Sequence, residues 1–252
     1  MAIRVLPLAV VAVLLKYAMH LLGLEVISLN PLFSGLLAAT VFLIGFLISG
    51  VLTDYKESER LPGEIAVSLE ALFDEGTIVQ EGKGAEQGAA FLLQVQAIAT
   101  SVREWLYGCE TFDQVMARVA GLNDHFLILE AVTVPPFIAR MKQEQTALRR
   151  VLTRMRTIKE TSFVASAYTI AEIMSVLLVA GFLLAKIDPF YESLFFVGLI
   201  AFLFAYMLRL IKDLDDPFEY QDGRADAGEI PLKPLQEAEE RMQRWFAARP
   251  AR

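Results

Sequence analysis

Four stretches of this chain are apolar for about twenty residues each, and that length restricts the fold more than any other feature. A helix needs ~20 mostly apolar residues to cross ~30 Å of hydrocarbon. Residues 5–24, 31–53, 163–185 and 190–211 meet that requirement. The linkers within the two pairs, 25–30 and 186–189, are short, so each pair is expected to form a membrane hairpin. Residues 54–162 between the pairs are too polar to span and long enough to fold by themselves. The chain is 55% hydrophobic with a mean hydropathy of +0.46, high for a soluble domain and low for a protein wholly in lipid. The expected fold class is an all-α membrane protein: a transmembrane hairpin over 1–53, a helical domain over 54–162, a second hairpin over 163–211 and a tail over 212–252.

A secretory signal peptide competes for the first window, because Arg4 precedes the apolar run. Such peptides end in small residues at a cleavage site. Here Lys16 interrupts the run, Tyr17-Ala18-Met19-His20 follows, and the apolar stretch then resumes, which favours a span.

Orientation follows from Lys and Arg near the span ends. The 25–30 linker has none and the 186–189 linker has only Lys186. The central block has twelve, seven of them from Arg140 to Lys159. Both termini and the central block are therefore expected on the cytoplasmic side of a cell membrane. The net charge of −7 argues against nucleic acid as a partner, which calls for a basic patch.

Within the central block, Leu61, Ile65, Leu69, Leu72 and Phe73 recur at helical spacing, and Asp74-Glu75-Gly76 is expected to end that helix. Residues 81–88 are glycine-rich and read as a loop; their spacing fits neither nucleotide-binding fingerprint. Further helices are expected from Phe91 to Leu106 and from Phe112 to Leu129, with Pro135-Pro136 opening the next at its first turn. No proline follows until Pro189, so the basic segment is expected to run unbroken into the third span. Cys109 is the only cysteine, and His20 and His125 lie on opposite sides of the membrane. With no nucleophile, carboxylate-pair or metal constellation, the chain is not expected to be an enzyme.

Ionisable groups inside a span are functional candidates because their burial is costly. Lys16 lies ~16–18 Å, and Glu172 ~13–15 Å, from the cytoplasmic end of its helix at ~1.5 Å per residue. A Lys16–Glu172 ion pair joining two helices is expected ahead of a role on an ion pathway. In the second span, Ser34, Gly35, Ala38, Ala39, Gly45, Ser49 and Gly50 permit close helix contact. Ala38, Phe42, Phe46, Ser49 and Thr53 share one stripe at steps of three or four. On a lone helix such phenylalanines pack; in a symmetric ring they make aromatic collars. A hydrophobic collar can gate by dewetting, and the positive edge of a phenyl ring can face an anion.

The run Phe42-Leu43-Ile44-Gly45-Phe46-Leu47-Ile48, followed by Thr53-Asp54-Tyr55-Lys56-Glu57-Ser58-Glu59-Arg60-Leu61-Pro62, resembles the second-span signature of the bestrophin superfamily. That signature has a Phe-x-x-Gly-Phe core and a polar, aromatic run ending in Leu-Pro. Leu214-Asp215-Asp216-Pro217-Phe218-Glu219-Tyr220 resembles the family's post-membrane Asn-Pro-Phe-Gly segment. The four-span plan with a long insertion is similar as well, most of all to divergent bestrophin-like proteins.

The resemblance implies a homopentamer whose second helices line a central pore for chloride or another small anion, with lipid around it. By position the neck falls on Ala38, Phe42 and Phe46. Two departures stand out: Asp54-Tyr55 replace the family's paired tryptophans, and Ala38 occupies a place where a bulkier apolar residue is usual. Asp213, Asp215, Asp216 and Glu219 resemble the acidic cluster that holds calcium in some members, although an EF-hand pattern is absent. The tail helix over 237–246 is a candidate to wrap a neighbouring subunit. The alternative to a channel is a non-conducting membrane scaffold or sensor whose cytoplasmic helices hold a partner.

Overall fold

The structure is a computed structural model and describes residues 2–83, 86–161, 165–218, 220 and 230–248. In chain order the elements are α1 (Ala2–Leu21), β1 (Ile27–Ser28), α2 (Pro31–Ser58), α3 (Leu61–Lys83), α4 (Gln87–Leu106) and α5 (Phe112–Glu130). They continue with α6 (Pro135–Glu160), α7 (Ala165–Leu184), β2 (Ala185–Lys186), α8 (Phe190–Asp215) and α9 (Lys233–Ala247). The chain divides into two compact units, residues 1–54 with 162–215, and residues 55–161 with 216–252.

The first unit holds α1, α7, α8 and the apolar part of α2, the four helices long and apolar enough to cross a membrane among the described residues. Ile44, Leu47 and Val51, at steps of three and four on α2, pack on Ala171 and Leu178 of α7 and on Phe204 and Ile211 of α8. Near the linkers, Ala12 of α1 meets Phe182 of α7 and Val197 and Ala201 of α8. Glycine sets two of these approaches. A Cβ on Gly181 would stand 2.7 Å from the Phe33 ring, and one on Gly198 would stand 2.8 Å from a Val13 methyl. Phe33 packs edge-on against Phe182 at 4.7 Å. The two short linkers meet as a parallel two-residue pairing, Ile27 with Ala185 and Ser28 with Lys186. Both linkers therefore lie at one end of this unit, and the N-termini of α1 and α7 lie at the other.

The second unit is a helical bundle with a continuous apolar core. Ile65, Leu69 and Leu72 of α3 are fully buried with Phe91, Val95 and Ile98 of α4, Val119 and Leu122 of α5, and Leu148, Leu152 and Met155 of α6. Thr111 caps α5 with Gln114 in a reciprocal capping box, satisfying two backbone donors that a helix start leaves open. Pro135 and Pro136 occupy the first turn of α6, where their missing N–H groups cost nothing.

Several boundaries differ from the sequence expectation. Gly76 does not end α3: a Cβ there would lie 2.6 Å from Phe91, so this glycine admits a core ring while the helix continues to Lys83. Gly88 opens α4 and passes within 2.9 Å, measured from its would-be Cβ, of the Gln80 backbone, so this glycine serves helix contact, while Gly82 faces open space. α6 ends at Glu160 with Thr161 in an extended conformation, so the basic helix does not run unbroken into the third span. The tail helix lies on its own chain. Leu235, Ala238 and Met242 of α9 are buried, and Trp245 and Phe246 meet Phe73 of α3 edge-on at 5.5 and 5.9 Å. Its buried Glu239 accepts a hydrogen bond from Thr100 at 2.8 Å and faces Arg103 at 3.5 Å.

Candidate functional site

The α2 stripe divides cleanly by exposure. Ile44, Leu47 and Val51 are buried, Leu47 to 1% exposure, on the face turned to α7 and α8. Ala38, Phe42, Phe46, Ser49 and Thr53 are all exposed, Phe42 to 77% and Phe46 to 58%. From Ala38 to Thr53 the stripe rises ~22 Å, and the two phenyl groups stand ~6 Å apart along the axis. The Thr53 hydroxyl donates back to the Ser49 carbonyl at 2.9 Å, which leaves its methyl outward. Gly35 and Gly45 face open space, so their smallness is not used by any neighbour within the chain.

This face exposes Leu32, Val41 and Leu52 like the other membrane faces, and adds small and hydroxyl residues to them. α1 exposes Leu6, Leu8, Val11, Leu14 and Leu15, α7 exposes Ile173, Val176 and Leu177, and α8 exposes Phe195, Leu199 and Leu203. Those are the large apolar surfaces that suit lipid chains. The α2 face adds Ser34, Gly35, Ala38, Ala39, Gly45, Ser49 and Thr53 around its two rings. Small and hydroxyl residues of this kind gather at helix contacts in membranes.

Lys16 is completely buried, but its partner is not Glu172. Its Nζ lies 2.5 Å from Glu25 Oε1 and donates to the carbonyls of Ala185 at 2.5 Å and Leu183 at 3.3 Å. The error has a geometric cause. α1 starts at Ala2, so Lys16 is ~21 Å along its helix, whereas Glu172 is only ~10 Å along α7 from the same end of the unit. Glu172 is exposed and bonded to the hydroxyl of Tyr168 one turn back. Glu25, which sequence reasoning passed over, is the only acidic residue in its linker. Burial pushes its carboxyl up, but hydrogen bonds from His20 and Lys16, with their charges, leave it below the usual carboxylate range.

Among the described residues, the acidic run after the last span shows side chains paired along the helix. Asp213 pairs with Arg209 at 3.2 Å, one turn back on α8. Asp215 ends that helix, and Glu219 lies outside the described residues. Among the described residues, no three carboxylate, imidazole or thiol groups converge as metal ligands. The neighbouring Phe218, part of the post-membrane motif, is instead fully buried in the helical core, with its carbonyl held by Lys159 at 2.7 Å.

Four apolar helices in this arrangement, with the helical bundle inserted between the second and third, define an all-α integral membrane protein with the bestrophin fold. The solved structures it resembles include a single-substitution variant of a bacterial bestrophin homologue from Klebsiella pneumoniae, with a TM-score of 0.79 at 16% identity over 98% of this chain and 97% of that one. A further structure of that homologue aligns with a TM-score of 0.74 at 16% identity, over 99% of this chain and 98% of the other. A crystal structure described as a membrane protein variant aligns over 100% and 98% at 17% identity, with a TM-score of 0.73. No family model matches the sequence, and no curated protein matches it. The fold expected from the second-span and post-membrane motifs is thus the fold observed.

Proposed function

We propose that the protein is an oligomeric anion channel whose pore is lined by the exposed stripe of α2. The observation that carries the reading is that stripe itself: two exposed phenylalanines one turn apart, on a face that mixes small and hydroxyl residues with Val41 and Leu52. Around a closed axis the two phenylalanines form two hydrophobic collars, with ring edges of positive potential towards the permeating ion. Gly35 and Gly45, idle within the chain, let adjacent copies of α2 approach. Five copies, chloride as the ion, both termini on the cytoplasmic side and lipid against α1, α7 and α8 complete the reading. The bestrophin-like fold supports it.

The direct test is purified protein in planar bilayers under a potassium chloride gradient. The reversal potential is expected to follow the chloride equilibrium. A reversal potential at the potassium equilibrium refutes anion selectivity. A folded oligomer that passes no ion refutes conduction and favours the scaffold reading.

A further inference from the structure

Three ionisable groups at the linker end of the membrane unit, Lys16, Glu25 and His20, are joined in one set whose outermost member is a histidine. Lys16 continues the buried stripe Val5, Ala9 and Ala12 of α1, and no part of it is exposed. An ammonium has three protons to donate. Here they face Glu25 and the carbonyls of Leu183 and Ala185, at the C-terminal end of α7 where a helix leaves carbonyls without intrahelical donors. The ammonium also sits at the negative end of the α7 dipole. One lysine thus ties α1 to the linker that follows it and to the end of α7.

Glu25 has a second oxygen, and His20 takes it. His20 Nδ1 lies 2.9 Å from Oε2, while the imidazole, 43% exposed, stacks on Phe190 at the start of α8 with centroids 3.7 Å apart. Lys16 and Glu25 cancel each other's charge, so the set is neutral when the imidazole is neutral. Lys186, Asp188 and Glu192, the other charged groups near this end, form no described ion pair with the three. α7 contributes carbonyls to the set, and α8 contributes an uncharged ring.

We propose that His20, Glu25 and Lys16 form an acid-tightened latch that fixes the linker leading into α2. Protonating the imidazole turns its bond to the Glu25 carboxylate from one with a neutral donor into an ion pair. It also places a cation on the Phe190 face. Repulsion from Lys16 opposes this, but residues at i and i+4 stand ~5–6 Å apart at their Cβ atoms. Glu25 stands between the two cations, one on each of its oxygens, so attraction acts at the shorter distance. The latched linker carries the Ile27–Ser28 pairing and ends at Asn30, whose side chain accepts the Phe33 N–H and starts α2. Acid therefore holds the entry of α2 more firmly. An effect on current rests on the pore reading above; the latch itself does not.

The test is amide hydrogen exchange in residues 22–30 of the full-length protein in lipid nanodiscs, compared at each pH with His20→Gln. The ratio is expected to be near one at about pH 8 and to show about two- to fivefold slower exchange in the unsubstituted protein at about pH 5. Phe190→Leu, which removes the stacked ring and keeps the bond, is expected to retain most of that change. A ratio constant with pH overturns the latch, whether His20→Gln loses protection throughout or nowhere. If exchange behaves as expected and currents in the same nanodisc-derived protein ignore pH, the latch stands and its coupling to the α2 pore is refuted.

Discussion

Truncating the two bare phenylalanines separates a pore from a packing role, because the two roles predict opposite pairings of stability and current. Removing a fully buried phenylalanine side chain costs about 3–5 kcal/mol. Phe42 is 77% exposed, so about a quarter of that applies to Phe42→Ala, roughly 1 kcal/mol. Phe46 is 58% exposed, and Phe46→Ala costs about 1–2 kcal/mol on the same scale. Leu47, one residue on and 1% exposed, is the internal control, and its truncation costs about 2–5 kcal/mol. Thermal unfolding in detergent should therefore rank Leu47→Ala as the most damaging of the three. In bilayers the order reverses. If the collars raise the barrier to ion passage by about 1.4 kcal/mol, the double Phe variant conducts about tenfold more. Cross-linking of the oligomer accompanies both measurements. Two results refute the reasoning: loss of the oligomer in Phe42→Ala with the monomer fold intact, which makes the stripe a subunit seam, or a stable oligomer whose current and selectivity are unchanged.

Three further outcomes follow from particular contacts. Lys16→Met removes the cation from a buried pair and leaves Glu25 without it, so it is expected to destabilise the membrane unit by about 3–5 kcal/mol, with Lys16→Met/Glu25→Gln less damaging than the sum of the single variants in thermal unfolding. Gly88→Ala pushes a methyl against the Gln80 backbone, which yields less readily than a side chain; about 1–3 kcal/mol of lost stability is expected by denaturant unfolding. The Glu110 carboxyl is held below the ordinary value of 4.5, first by the Ser101 hydroxyl and, against the opposing effect of burial, by Arg118. A lowered folded-state value means stability that is present above that ordinary value and lost as pH falls through the folded one. The acid side of the stability curve is therefore expected to flatten in Glu110→Gln, read by chemical unfolding from about pH 6 to pH 3.

The helices were legible because the two solvents in which this chain folds leave different marks. Lipid demands long apolar runs, and the four windows coincide with α1, α2, α7 and α8 to within a few residues. In the water-facing bundle the periodicity of Leu61, Ile65, Leu69 and Leu72 marks a core face, and that face is buried. What misled was glycine. Gly76 and Gly88 sit where a ring and a backbone come close, and a single sequence shows only that these residues are small, not what presses on them. The end of α6 at Glu160 was hidden for a related reason: Thr161 leaves the helix without any proline or glycine to announce it.

Lys16 shows why a site can be flagged correctly and explained wrongly. A charge within an apolar run marks a position that must be neutralised, and depth along the helix is the only guide that hydropathy offers to its partner. That guide fails when a helix starts three residues earlier than its apolar window, since each residue shifts the estimate by ~1.5 Å. Taken from Ala2, Lys16 is five residues from the end of α1, within reach of the first linker, and Glu25 is the one acid there. His20 on the same face as Lys16 was the remaining clue, because a lysine and a histidine one turn apart both point to a common acceptor. The α2 stripe needed no such inference. Phe42 and Phe46 lie about 140° and about 100° round α2 from the buried Leu47, and both rings are exposed. That phase leaves two aromatic rings exposed on a helix that also carries Gly35, Ala38, Gly45 and Ser49.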